Sequence, residues 1–152
     1  MSISESLSAC VLRDMVSLVV GDRLGGGSSR EVYVFAPDPS IVIKIEDRSR
    51  SFQNIAEYDF WNAVVHRPYF AQWFAPVLRI SSCGCVLLMR RTSPIPKDQY
   101  PERTPAFFAD MKFGNFGLLD GQFVCHDYGS NVGVQAANAM TKRQMKANWW
   151  EG

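Results

Sequence analysis

The run Ile41-Val42-Ile43-Lys44-Ile45 constrains this chain more than any other stretch. Branched residues favour extended backbone, and a lysine among them needs either solvent or a counter-charge. The segment follows a turn at Pro37-Asp38-Pro39-Ser40. Before that turn, Ser17 to Arg23 and Glu31 to Ala36 read as strands joined by the glycine-serine loop Leu24 to Ser29. After it, Ser51 to His66 carries a helical period, with Phe52, Ile55, Ala56, Phe60, Ala63 and Val64 forming an apolar stripe that Pro68 ends. Pro76 to Ile80 and Cys85 to Met89 read as a hairpin across Ser81-Ser82-Cys83-Gly84.

Three strands, one helix and a hairpin predict an antiparallel sheet with one packed helix. Further elements flank them. Ser4 to Met15 reads as a short helix capped by Ser4, with Leu7, Val11 and Met15 on one face. Thr92 to Pro105 holds four of the eight prolines and reads as a connector. Phe107 to Gly129 reads as a loop, then a hairpin turning at Leu119-Asp120-Gly121-Gln122. Val134 to Trp149 reads as a final helix with Lys142, Arg143 and Lys146 on a solvated basic face. The expected class is α+β, one domain over 1–152: sheet and helix over 16–91, a linker over 92–105, and a small remainder over 106–152.

Size and composition agree with one packed unit. The chain has 152 residues, 47% of them apolar and 20% charged. A net charge of +1 gives no global attraction to nucleic acid or to a membrane surface. The sequence lacks a long apolar span or a signal-peptide pattern at its start, so the expected compartment is cytoplasmic, with Cys10, Cys83, Cys85 and Cys125 as reduced thiols. Cys83-Gly84-Cys85 has a spacing that suits a tight turn, not a zinc site.

The residues that carry chemistry fall in four places. Gly25 and Gly27 let backbone approach a polyphosphate, with their amides turned to phosphate oxygens. A P-loop would need Gly-Lys-Ser/Thr opening a helix, whereas Arg30 and Glu31 lead into a strand. Lys44 has two readings: an edge-strand lysine reaching solvent, or an ammonium that contacts phosphate and is held by a carboxylate. Glu57, at the margin of the helical stripe, is the candidate partner, and Asp59, aligned with Phe52, is its competitor.

Asp110, Lys112 and Asn115 have a spacing that can converge on one site. Asp110 could accept a hydroxyl proton, Lys112 could neutralise a transferring phosphoryl group, and Asn115 could offer oxygen to a hard cation. Asp127 could supply that cation with a second oxygen, and Gly129 lets the chain turn sharply.

Taken in order, these motifs resemble the protein-kinase family over roughly 16–129. Leu24 to Tyr33 is similar to its glycine-rich loop, Val42-Ile43-Lys44 to its strand lysine motif, and Glu57 to its helix glutamate. Asp110 to Asn115 resembles the catalytic loop, and Asp127-Tyr128-Gly129 resembles the metal-binding Asp-Phe-Gly. The resemblance is nearest to compact kinases encoded by bacteriophages. It implies an antiparallel N-lobe sheet with an αC-type helix and a strongly truncated C-lobe. It also implies ATP and Mg²⁺ as cofactors, with Asp110 and Lys112 catalytic and Asn115 and Asp127 on the metal. Gly25, Gly27, Ser28, Ser29, Lys44 and Glu57 would then serve the nucleotide. Leu88 to Thr92, Met89 included, would be the hinge that meets adenine.

The pattern departs from the family in several ways. Arg30 replaces the third glycine of the loop and should stiffen it. Phe108-Ala109 replaces His-Arg before Asp110, and no Ala-Pro-Glu follows Gly129. The stretch before Asp110 is too short for the family's two large helices, and only 23 residues follow Gly129. Two functions are therefore expected. One is a miniature protein kinase, of Ser/Thr type, acting on bacterial host proteins. The other is a catalytically silent kinase-like protein that blocks a host enzyme. Either could draw on a dimer mate for the missing lobe. Nucleic acid is not an expected partner, because Lys142, Arg143 and Lys146 read as solvated.

Overall fold

The computed structural model describes residues 7–27, 29–47, 52–130 and 134–152, the side chains of 134–136 excepted. It is α+β. Strands β1 (Val20–Gly26), β2 (Arg30–Phe35), β3 (Ile41–Glu46), β4 (Val77–Ile80) and β5 (Val86–Arg90) form an antiparallel sheet in the order β1-β2-β3-β5-β4. Helix α1 (Ala9–Ser17) precedes it, and α2 (Gln53–Val64) and α3 (Pro68–Ala71) lie between β3 and β4 in the chain.

The register settles what alternation left open. β3 lies between β2 and β5, so Lys44 is not on an edge, and it is 3% exposed. Directly opposed residues in a ladder share a face. Arg30 opposes Glu46, Val32 opposes Lys44, and Lys44 opposes Leu87. One face of the sheet thus carries Arg30, Val32, Val42, Lys44 and Glu46 together.

The helix after β3 forms as its period predicts, but it turns a different stripe inward. Asn54, Glu57, Phe60 and Val64 are buried, whereas Phe52 precedes α2 and is 71% exposed. Ile55, Ala56 and Ala63 are only half-buried, and Asp59 is exposed. The physical reason is that the sheet face offers partners to polar side chains. Glu46 caps α2, accepting from the backbone N–H of Gln53 (2.9 Å) and Asn54 (3.1 Å). Asn54 donates to the Lys44 carbonyl at 3.2 Å.

The remainder holds β6 (Arg103–Pro105), the hairpin β7 (Phe116–Leu119) and β8 (Gln122–Cys125), α4 (Val134–Ala139) and β9 (Gln144–Lys146). The β7–β8 hairpin turns at Asp120 and Gly121, both at positive φ (51° and 79°), the backbone of a tight two-residue turn. One aromatic core joins the sheet and α2 to the remainder. Phe74 lies against Phe60 (4.7 Å between ring centres), Tyr128 (5.1 Å) and Phe108 (5.5 Å), and Phe108 lies against Phe116 (5.1 Å). Backbone bonds stitch the same seam: Ala75 donates to Cys125, and Cys125 donates to Trp73, each at 2.8 Å.

Several local expectations need correction. The first helix begins after Ser8, whose hydroxyl accepts from Val11 N–H, and Ser17 belongs to this helix and not to β1. Ser4 lies outside the described residues. Val11 and Met15 are exposed, so α1 buries no stripe. The stretch 92–105 is folded: Ser93 pairs with Leu118, Ile95 is buried, and β6 pairs with β9. The final helix ends at Ala139, and the chain then becomes a strand that carries Trp149 into an aromatic cluster with Tyr100, Phe113 and Phe116. Ladder pairing and this cluster override the helical propensity of 140–149. Lys142, Arg143 and Lys146 are exposed, but not on a helix.

Among the described residues, no disulfide joins Cys10, Cys83, Cys85 or Cys125, and Gly84 takes the positive φ of a tight turn. Among the same residues, no helix is long and apolar enough to cross a membrane.

Candidate functional site

A cavity of about 1120 Å³ opens between the sheet and the small remainder of the fold. Apolar walls come from Leu24, Val32, Val42, Ile95 and Phe116. Its polar lining includes Lys44, Asp110, Lys112, Asn115 and Asp127, with Gly25 to Gly27 and Ser29 on the glycine loop. Ser28 lies outside the described residues. Met89 is fully buried on β5, one residue before the wall that begins at Arg90.

The inner cluster centres on Glu57, which is fully buried. Lys44 Nζ reaches both of its oxygens, at 3.1 and 3.0 Å. Arg30 donates to Glu57 Oε1 at 2.9 Å and closes an ion pair with Oε2 at 2.9 Å. The backbone N–H groups of Tyr128 (3.1 Å) and Gly129 (3.3 Å) also donate to Oε1. Burial alone would push this carboxyl's pKa up. The attraction of Lys44 and Arg30 outweighs burial and holds the pKa down at about 2. Asp59, the other candidate partner for Lys44, plays no part here.

Arg30 has a role that sequence reasoning missed. It does not merely stiffen the loop. Its guanidinium turns inward, 6% exposed, and donates to Asp127 Oδ1 at 2.6 Å and to Asn54 Oδ1 at 3.2 Å. Burial works against its charge, but Glu57, Asp127 and Glu46 outweigh that and raise its pKa above the ordinary arginine value. A signal was present in the sequence. Arg30, Val32 and Val34 alternate, so Arg30 must share a face with Val32. What was missing was the register that places Lys44 opposite that face.

The outer cluster centres on Asp110. Asn115 Nδ2 donates to its Oδ2 at 3.1 Å, Lys112 N–H to its Oδ1 at 3.3 Å, and the Trp150 indole N–H to its Oδ1 at 3.0 Å. Lys112 Nζ stands 5.7 Å from the centre of the Trp150 ring. Trp150, not foreseen at this position, arrives because the end of the chain runs beside the loop: Trp150 N–H bonds Met111 O (3.2 Å) and Phe113 N–H bonds Trp150 O (3.1 Å).

Backbone bonds couple the two clusters. The Asn115 carbonyl accepts from the N–H of His126 (2.9 Å) and Asp127 (3.3 Å). The His126 carbonyl accepts from Lys44 Nζ, and its ring lies between Thr92 Oγ1 (2.7 Å) and Gly114 O (2.9 Å). Burial, then the nearby Lys44 charge, lowers the His126 pKa.

These groups can be tested against the two expected cofactors. A nucleotide suits them: apolar walls adjoin cationic side chains, and a Cβ at Gly25 or Gly27 would meet nothing within 4 Å, which leaves open space beside the loop. Mg²⁺ fits less well. The metal would need Asp127 with Asn115, and Asp127 Oδ1 is already held by Arg30. Among the described residues, no three His, Cys, Asp or Glu side chains form a metal-holding group. No protein-family model matches the chain, and no curated protein matches it.

Proposed function

We propose that this chain is an ATP-dependent phosphotransferase with a kinase-like fold, acting on a protein hydroxyl. One observation carries the reading. Lys44, the glycine loop, Asp110, Lys112, Asn115 and Asp127 come from separated segments and line a single cavity, with the buried Glu57 holding Lys44 from behind. The sheet order β1-β2-β3-β5-β4, with α2 supplying Glu57 from between β3 and β4, supports the resemblance to protein kinases.

In this reading the base lies against Val32, Val42 and Ile95, and the phosphates lie under Gly25 to Gly27 beside Lys44. Lys44 keeps its position because Glu57 holds it. A substrate hydroxyl donates its proton to Asp110 as its oxygen attacks the terminal phosphorus, and the bond to the leaving diphosphate breaks. Lys112 offsets the charge on the moving phosphoryl group. The hydroxyl takes the place that the Trp150 indole now holds on Asp110 Oδ1. The target protein docks outside the cavity or on a dimer mate. The phage resemblance makes that target a bacterial host protein met in the cytoplasm.

A second reading, a silent kinase-like protein that blocks a host enzyme, is favoured by two contacts: Arg30 on Asp127 and Trp150 on Asp110. Labelled ATP with a bacterial lysate separates the two. Transfer that both Lys44→Ala and Asp110→Ala abolish, with Asp127→Ala as a third variant, supports the phosphotransferase. ATP binding without transfer supports the silent form.

A further inference from the structure

Arg30 carries an inference that rests on the nucleotide reading and goes beyond it. We propose that Arg30 serves as the resident cation of Asp127, so that this cavity binds nucleoside polyphosphate without a divalent metal ion.

The charge arrangement is the first reason. Lys44 and Arg30 face Glu57 and Asp127, so two cations meet two carboxylates within hydrogen-bond distance. These four side chains balance, and Glu46, buried opposite Arg30 on the same face, adds one more negative charge that Arg30 answers. A carboxylate beside a polyphosphate would repel it unless a cation stood between, and the guanidinium already stands on Asp127. Its planar fork suits carboxylate and phosphate alike.

Placement is the second reason. Arg30 opens β2 directly after the glycine loop, and Gly27 N–H bonds the Arg30 carbonyl at 2.9 Å. The ladder then fixes the side chain on the Lys44 face. Bonds to Asn54 and Glu57 hold the guanidinium from the α2 side, so Asp127 is only one of three anchors. A metal ion arriving at Asp127 would either have to dislodge a threefold-anchored guanidinium or lie beside its positive charge. Asp127 itself is 44% exposed in its side chain, so this carboxylate is open to a ligand in the cavity, with the buried Arg30 in the wall beside it.

The test is ATP binding by calorimetry to the intact chain, once in EDTA and once in excess MgCl₂. The expected result is a Kd that differs by less than about tenfold between the two. Arg30→Ala should lose about tenfold or more in EDTA and recover in MgCl₂, because Asp127 is then open to the metal. Arg30→Lys, which keeps the charge but not the fork, should lose less in EDTA. Circular dichroism checks that each variant folds, and the comparison on the native chain needs no variant. Binding to the native chain only with Mg²⁺ overturns this proposal and leaves the nucleotide reading standing. An Arg30→Ala chain that binds in EDTA as the native chain does also overturns it. Binding in neither buffer overturns both.

Discussion

The two polar clusters of the cavity are built on opposite principles. Around Glu57, charge is buried and over-determined: one carboxylate accepts from a lysine, an arginine and two backbone N–H groups. Around Asp110, the groups lie nearer the surface, and one contact comes from Trp150, 47% exposed. The first arrangement cannot lose a partner cheaply, because buried charged donors would lose a counter-charge that water does not replace. The second can exchange a bond for one with water or substrate at small cost. A site that holds phosphate rigidly and admits a hydroxyl, as proposed here, would need both kinds.

The largest effect should come from Glu57→Ala. It leaves Lys44 and Arg30 buried with one carboxylate fewer, and denaturant unfolding should show a loss of about 3–5 kcal/mol. A loss near that of a surface substitution would break the contrast.

Acid should probe the same cluster. The Glu57 pKa lies at about 2 in the folded chain against an ordinary 4.5. A lowered folded pKa contributes stability that is present above the unfolded value and is lost as pH falls through the folded one. Stability should therefore decline between about pH 4.5 and 2, by on the order of 3 kcal/mol from this group. Unfolding free energies measured across that window check it.

Gly129→Ala should cost about 1–3 kcal/mol. A Cβ there would stand 2.7 Å from the Gln53 carbonyl oxygen, so the start of α2 must shift away from the Tyr128–Gly129 backbone that serves Glu57. A chain as stable as the parent in thermal unfolding would show that α2 yields freely.

Trp150→Phe sharpens the other side of the comparison. It removes the indole donor to Asp110, leaves a smaller aromatic ring beside Lys112, and should change stability by about 0.5–1.5 kcal/mol or less. A larger loss by thermal unfolding would mean that the outer cluster is as fixed as the inner one.

Much of the sheet was legible because its rules are local. Branched runs marked β2 and β3, proline and glycine marked their turns, and Asp120-Gly121 marked the β7–β8 hairpin. Helix α2 was legible as a helix but not in its orientation. Its apolar period counted Phe52 toward the core, yet Asn54 and Glu57 are what the sheet face pairs with. The stretch 140–149 misled for a related reason. Its residues tolerate a helix, and only β6 and the Tyr100–Phe113 rings make a strand the better choice.

By themselves, the residues determined which segments extend, where they turn, and which side chains carry charge. Those properties follow from backbone sterics and side-chain chemistry within a few neighbours. Only the tertiary structure decided who stands beside whom. Arg30 and Asp127 are 97 positions apart, and their pairing follows from the ladder register on one side and the Asn115 carbonyl on the other. Alternation along a strand says which way a side chain points, but what waits there depends on long-range packing.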